Sequence, residues 1–474
     1  MKTKVTIGVA PTRRNAFLKE DAHKARDAVN AALVGYDATF VSIAGVNDED
    51  LLLDDASAQE AIERFRAAKV DGIFFPHVNF GTEFAVAQVA RALQVPVLLW
   101  GPQDDVPSPD GMRSRDTQCG LFATGKVLRR MNVPFDYIPN CKIEDPRFNF
   151  GMETFVGECR VIKAFRGLRI LQIGPRPQPF WSVICNEGEL LEQFGIQLST
   201  VTLGEVVRLA KQFETERPEE LETTMSKAHC DYTPCGGDSV KLRLAALKCA
   251  MHQLCRQRGC RAVAIQCWDE LQVECGLMPC NANALLSDEG IPVACELDVH
   301  GAITSVLLQA AADDVPFFAD MTIRHPDDPN AELLWHCGNF PTCHIAEATP
   351  ATVTPNVLLA HHCPGTGEYR LKDGDLTICR FDGDHGEYRL FIGEGHTTVG
   401  PATTGTYVWL KTENMDRWEY KLVTGPYIHH CSGAYGHVAH ILYAATKYMP
   451  GVQPELADRS PEEMLSFCLY GGMQ

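Results

Sequence analysis

Two carboxylates occupy matched positions in the stretch 287–321. Glu296 closes the apolar run Ile-Pro-Val-Ala-Cys, and Asp320 closes the run Val-Pro-Phe-Phe-Ala. A charge at the end of an apolar run is costly unless something pairs with it. Between the two runs, Ile303, Val306, Leu307, Ala310 and Ala311 fall at i, i+3, i+4, i+7 and i+8. That spacing predicts a helix with one apolar stripe. Strand, helix and strand in that order predict a parallel βαβ unit, with both acids at the carboxyl edge of one sheet. Open α/β sheets bind their ligands at that edge. Carboxylates so placed resist ionisation together unless a cation sits between them, and a divalent metal meets that need. The competing account is structural, because strand-end acids often cap the next helix, and Asp298 is placed to do so.

Further metal ligands would come from imidazoles. The chain offers His429 and His430 in "GPYIHHCSGAYGH" with His437 beyond them, His336 and His344 in "LLWHCGNFPTCH", and His361 and His362 in "LLAHHC". Neighbours on a strand point to opposite faces, so one histidine of a tandem pair is expected to reach a given site. Gln266, Trp268 and Asp269 in "AIQCWDE" end another strand at the same edge. They suit sugar hydroxyls and a ring face, although Trp268 serves equally well as a core residue. In the first third, His77 and Asn79 in "PHVNFGTE" also follow a strand. The turn in "GLRILQIGPRPQPFW" could hold an anion, but a plain strand–helix turn accounts for it as well. No glycine-rich dinucleotide fingerprint follows any strand, which argues against a Rossmann oxidoreductase.

The elements that must position these groups are alternating strands and helices. Segments 4–10, 36–45, 71–78 and 95–102 read as buried strands, with a helix from an N-cap at Ser57. A second unit of the same type begins near Leu168. Beyond about residue 345, short runs separated by Gly and Asp turns predict a β-rich region, closed by a helix over "YGHVAHILYAATKYM". The expected architecture is two doubly wound parallel α/β domains, 1–166 and 167–345, followed by a barrel-like β domain, 346–474.

Composition narrows the function. A formal charge of −18, from 43 basic and 61 acidic residues, argues against nucleic acid or an anionic membrane as partner. No apolar run approaches the ~18–20 residues that span a bilayer. The start "MKTKVTIGVA" reads as a first strand and not a signal peptide. The nineteen cysteines include no C-x-x-C pair, and with no export signal they are expected to be reduced thiols in the cytoplasm.

On these residues the chain resembles the L-fucose/L-arabinose isomerase superfamily, most closely its L-fucose isomerase side. The sharp part of the resemblance is "IPVACE…FFAD", with its 24-residue spacing from Glu296 to Asp320. The resemblance implies a manganese ion held by Glu296, Asp320 and His430, with Mg2+ or Co2+ as alternatives. It places His429 beside the substrate, and its arabinose branch implies His336 as a further ligand. It implies an aldose–ketose isomerase working through a cis-enediol, with Glu296 and Asp320 as the catalytic carboxylates. It also implies a cytoplasmic homo-oligomer, a hexamer, in which a neighbouring subunit's N-terminal domain helps close the site, with His77 and Asn79 as candidates. The chain is more than a hundred residues shorter than L-fucose isomerases, so the sugar stays open among L-fucose, D-arabinose, other deoxy or pentose sugars and an anionic sulfosugar. The alternative function is a two-lobed sugar-binding sensor without catalysis.

Overall fold

The computed structural model describes residues 3–347, 349–356, 358 and 362–472; His361 lies outside them. Two compact units make up the chain.

One unit comprises 3–163, 440–449 and 460–474. Its sheet contains β1 (Thr6–Val9), β2 (Thr39–Ser42), β3 (Gly72–Pro76), β4 (Val97–Trp100) and β5 (Asp136–Tyr137). All pairings are parallel, in the order β2-β1-β3-β4-β5. Every residue of β3 and β4 is buried, as parallel strands covered on both faces require. The helix Asp55–Ala68 starts earlier than its Ser57 suggested. Asp54 caps it by accepting from the Ser57 N–H at 2.9 Å, and the Ser57 hydroxyl accepts from the Asp54 N–H. Two late segments belong to this unit, the helices Ala439–Thr446 and Pro461–Tyr470. The second was not foreseen, although Ser460, Pro461 and Glu463 form an N-terminal capping box.

The other unit holds a second parallel sheet, β6 (Arg169–Ile173), β7 (Gln197–Val201), β8 (Ala262–Ile265) and β9 (Val293–Ala294), in the order β7-β6-β8-β9. After it come β10 (Phe317–Arg324), β11 (Ala331–His336), β12 (Thr352–Pro355), β13 (Pro364–Arg370), β14 (Asp375–Asp384), β15 (Glu387–Thr398), β16 (Thr406–Lys411), β17 (His430–Tyr435) and β18 (Val452–Leu456). Six of them close into an antiparallel barrel, β16-β11-β10-β17-β14-β15, which returns to β16. Closure removes the exposed strand edges of an open sheet. Both expected parallel sheets and the β-rich region are therefore present.

The expected βαβ unit is not. β10 lies in the barrel, antiparallel to β11 and β17, and does not pair with β9. The apolar run Phe317–Ala319 suits either sheet, but β11 follows after only six residues. A short hairpin connection favours antiparallel pairing with the next strand. The helix Val299–Ala312 is also more than a one-stripe helix, since all its residues but Gln309 and Ala312 are buried. It packs on β8 and β9 and also on β14 and β17. Ser305 and Ser432 share a hydroxyl hydrogen bond of 2.8 Å, and Thr304 Oγ1 accepts from the Phe381 N–H. One helix thus pins the parallel sheet to the barrel.

Among the described residues no helix is long and apolar enough to cross a membrane. All nineteen cysteines are free thiols, in keeping with the reduced state expected.

Gly301, in the first turn of the central helix, sets how closely these layers approach. A Cβ there would stand 2.6 Å from Asp298 Oδ2 and collide with the Phe318 ring. Gly301→Ala gains up to about 1 kcal/mol of helix propensity, whereas overpacking costs about 1–3 kcal/mol. The variant is expected to unfold at lower urea concentration than the wild type; an unchanged or higher midpoint would show that the layers give way freely.

Candidate metal centre

Glu296 owes its position to an uncommon backbone. After β9 the chain places two successive non-glycine residues, Glu296 and Leu297, at φ of 53° and 59°. Each costs about 1–3 kcal/mol unless its surroundings enforce it. Here the Leu297 N–H donates to Ile265 O at 3.0 Å, and the Asp298 N–H to Cys295 O at 3.0 Å. The reversal buries the Glu296 carboxylate, which is 4% exposed. Its Oε1 accepts from the Trp268 indole N–H at 3.1 Å and faces the Cys267 thiol at 3.6 Å. Its Oε2 has no hydrogen-bond partner.

Asp320 comes from the barrel. It stands mid-strand on β10, directly opposite His430 of β17. The two acids therefore converge from different sheets. His430 Nε2 lies 3.5 Å from Glu296 Oε2 and 3.5 Å from Asp320 Oδ1. His336, at the end of β11, brings its Nε2 to 3.7 Å from Glu296 Oε2. Glu296 Oε2, Asp320 Oδ1 and His336 Nε2 are all buried without a hydrogen-bond partner. Orphaned polar atoms are rare in interiors, and the two carboxylate oxygens that meet at His430 ask for a shared counter-ion.

The donor set fits a hard divalent cation, with two carboxylate oxygens and one imidazole nitrogen. Neighbouring ligands around an ion with bonds of about 2.1 Å stand about 3 Å apart, and His430 Nε2 stands 3.5 Å from an oxygen of each acid. The ligand atoms that all lie within 4.8 Å of one another belong to Asp320, His429 and His430; Glu296 is outside that group. His429 precedes β17, with its side chain about half exposed, and its Nε2 is 3.9 Å from Asp320 Oδ1. Both histidines of the pair thus approach Asp320. The strict alternation expected for a tandem pair fails because His429 lies outside the regular strand.

The two buried imidazoles are wired oppositely. His430 Nδ1 lies 2.9 Å from Asp298 Oδ2. An ionised carboxylate only accepts, so the His430 proton sits on Nδ1 and Nε2 keeps its lone pair for a metal. At His336 the Cys337 N–H donates to Nδ1 at 2.9 Å, which puts the proton of the neutral ring on Nε2, aimed at Glu296. In that tautomer Nε2 turns its N–H towards Glu296 at 3.7 Å, beyond hydrogen-bond range, and has no lone pair to give an ion.

Asp298 was expected, at most, to cap a helix. It does, accepting from the Gly301 N–H at 2.9 Å, and it also orients His430. Its carboxylate is gripped by both terminal nitrogens of Arg380, whose Nε and Nη2 reach Asp382 at 2.8 and 2.6 Å. Burial alone would raise the Asp298 carboxyl, but Arg380 and His430 outweigh it and hold it well below the usual range. Burial likewise opposes ionisation of Glu296, and His336 and His430 pull it below its ordinary value. At His336 burial opposes the charged form, yet Asp320, Cys337 and Glu296 raise it well above the normal imidazole range. Burial lowers His429, with His430 adding to the effect.

The remaining candidates divide. Gln266 has a buried, unpartnered Oε1. Trp268 is a clamp on Glu296, and Phe180 packs on it edge to face at 5.1 Å. Phe180, which the sequence reading did not single out, also stacks on His430 at 5.8 Å. His344 Nε2 bonds Val315 O at 2.8 Å, and His437 faces Asp375 and Glu394. His77 and Asn79 are fully buried inside the first unit. There His77 bonds Thr124 and Phe75 O, and burial lowers it to about 4; Asn79 Oδ1 accepts from the Arg14 and Gly81 N–H groups.

Two family models match the chain: the fucose/sulfoquinovose isomerase N-terminal domain over residues 8–166, and the L-fucose isomerase C-terminal domain over 334–452. A sulfoquinovose isomerase of Priestia aryabhattai is 24% identical over 91% of this chain and 95% of that protein. One of Priestia megaterium matches to the same extent. A third, of Alkalicoccus urumqiensis, is 29% identical over 70% of this chain and 73% of its own.

Calorimetric titration of the chelator-stripped protein with Mn2+ checks the centre. Glu296→Gln, Asp320→Asn and His430→Ala are each expected to weaken binding at least about 10-fold, and Asp298→Asn about 10–100-fold through loss of its orienting bond. Wild-type affinity in Asp298→Asn would dissociate that residue from the centre.

Proposed function

The chain belongs to the L-fucose isomerase superfamily and is an aldose–ketose isomerase, and from that premise we propose that it acts on a sulfosugar of the sulfoquinovose type with a divalent metal, Mn2+ first, held by Glu296, Asp320 and His430. The observation that carries the metal is the convergence of two orphaned buried carboxylate oxygens, Glu296 Oε2 and Asp320 Oδ1, each 3.5 Å from His430 Nε2. The choice of sugar is supported by the relatives, which are sulfoquinovose isomerases over nearly the whole chain. The two-lobed sensor gives way to the enzyme on the same matches.

Isomerisation moves a proton from C2 to C1 of the open-chain sugar and another from O2 to O1, through a cis-enediol. The carbon-bound proton is carried by one carboxylate of the pair, Glu296 or Asp320, whose unpartnered oxygens Glu296 Oε2 and Asp320 Oδ1 would also hold the ion. A carboxylate so placed contributes about 10²–10⁴ in rate as general base and acid. Trp268 and Cys267 hold Glu296 by its other oxygen, which keeps Oε2 turned towards His430 and the proposed ion. When bound, a divalent cation supplies Lewis acidity that stabilises negative charge developing on O1 and O2. Phe180 and Trp268 shield the histidine face from water. Gln266 Oε1 stands ready for a sugar hydroxyl, and His429 for a second. The resemblance extends the reading to a homo-hexamer in the cytoplasm.

An aldose panel scored by ketose formation tests the reading. With Mn2+, kcat/KM for sulfoquinovose is expected to exceed that for L-fucose, D-arabinose or D-glucose at least 10-fold, a preference worth about 1.4 kcal/mol. EDTA is expected to abolish turnover, and Mn2+ to restore it better than Zn2+. Preference for a neutral aldose would overturn the substrate, and full turnover without metal would overturn the centre.

Glu296→Gln and Asp320→Asn preserve shape, so each is expected to lower kcat at least 100-fold with circular dichroism unchanged. Retention of a tenth of wild-type kcat would remove that residue from the proton path.

A further inference from the structure

The segment between β6 and the helix Glu187–Phe194 begins at the carboxyl end of β6 and brings Phe180 against His429 and His430. Gly174 opens it at φ 76°, with its N–H donating to Val201 O at 3.0 Å. A Cβ there would stand 2.6 Å from Gln266 Oε1, so the loop lies directly against the amide of Gln266. At its other end Phe180 stacks on His430 with planes 20° apart and lies 6.1 Å from the His429 ring. Both ends of the segment Gly174–Phe180 are therefore fixed against residues of the site.

Arg176 lies between them. Its Nη1 donates to Pro177 O at 2.8 Å and to Gln178 O at 3.0 Å, which folds the guanidinium onto its own loop. A guanidinium carries five N–H donors, and these two bonds leave Nε and Nη2 for another acceptor. Among the described residues no carboxylate lies within ion-pair distance of Arg176. By contrast, in the first unit Arg13 is held by Glu49 and Arg14 by Glu83. The loops leaving β7, β8 and β9 begin Thr202, Gln266-Cys267-Trp268-Asp269 and Cys295-Glu296-Leu297-Asp298. None contains a lysine or arginine, so Arg176 is the one cation in the strand-end loops of this sheet.

An anionic sugar needs such a group. The chain carries −18, and the centre itself is built on Glu296, Asp320 and Asp298. A sulfonate approaching it meets like charge unless a local cation answers it. Phe180 lies four residues beyond Arg176, at most about 14 Å of extended chain, which keeps the guanidinium within range of the far end of a short open-chain sugar. Resting on the sulfosugar reading, we infer that Arg176 is a specificity-determining residue that binds the sulfonate, opposite the C1–C2 end, through Nε–H and Nη2–H. The anion-holding turn of the sequence then has a substrate group to hold. The fixed fork suits a sulfonate's oxygens better than a lysine's point charge does.

The test is steady-state kinetics of Mn2+-loaded Arg176→Gln and Arg176→Lys with sulfoquinovose, run beside Mn2+ titration. Arg176→Gln is expected to raise KM about 10–100-fold while kcat stays within about threefold and Mn2+ affinity is unchanged. Arg176→Lys is expected to recover part of that loss, and added NaCl to raise KM more steeply for the wild type than for Arg176→Gln. An unchanged KM in Arg176→Gln overturns the inference. So does a fall in kcat together with Mn2+ affinity, which would mean that Arg176 only shapes the loop under Phe180. A wild type that ignores sulfoquinovose yet turns over a neutral aldose sinks the sulfosugar reading itself, and the inference with it.

Discussion

Arg380 is buried to the last atom, and the carboxylates of Asp298 and Asp382 hold it from two sides. A lone charge there would be intolerable, and removing one partner of a buried pair costs about 3–5 kcal/mol. The arrangement persists because every strong donor is answered: His300 Nδ1 closes on Asp382, and His430 Nδ1 on Asp298. The chain from His300 to His430 is one network across the central helix, β14 and β17. Its last link decides which nitrogen of His430 carries a proton, and so which nitrogen can meet a metal.

The rest of the site follows from that orientation. His430 turns its Nε2 towards two carboxylates that reach it from separate sheets, Glu296 from the parallel sheet and Asp320 from the barrel. Neither sheet alone makes the centre. The buried helix Val299–Ala312 holds the two together, and its Gly301 lets Asp298 and Phe318 close in on its first turn. Around the proposed ion, Trp268 fixes one oxygen of Glu296 and His336 faces the other. A mobile open-chain sugar thus meets groups whose positions are set before it arrives, which is what proton transfer between adjacent carbons requires.

Much of this was legible in the chain, for particular reasons. Near-continuous apolar strands such as "GIFFP" and "AVAI" announce parallel sheets, because only buried strands lack alternation. Glu296 and Asp320 stood out because acids closing apolar runs need a partner. The same run misled about the route by which they meet, since "VPFFAD" fits a parallel or an antiparallel strand and barrel closure depends on distant pairings. Asp298 hid behind its capping role, and nothing local connects it to Arg380, 82 residues away. Phe180 was invisible for the same reason, and Trp268 took a hydrogen-bonding part where stacking or core packing had been expected. The turn around Arg176 suits an anion, and the lack of a carboxylate partner for its guanidinium among the described residues gives that reading weight.

The central claim is that Asp298 presents His430, and not His336, to a metal shared with Glu296 and Asp320. Pulsed electron paramagnetic resonance of the Mn2+-loaded protein addresses it directly by recording coupling to imidazole 14N. The account predicts such coupling in the wild type and in His336→Gln, and its disappearance in His430→Gln under Mn2+ concentrations that keep the weakened site filled. Coupling that survives in His430→Gln, or vanishes in His336→Gln, would contradict it.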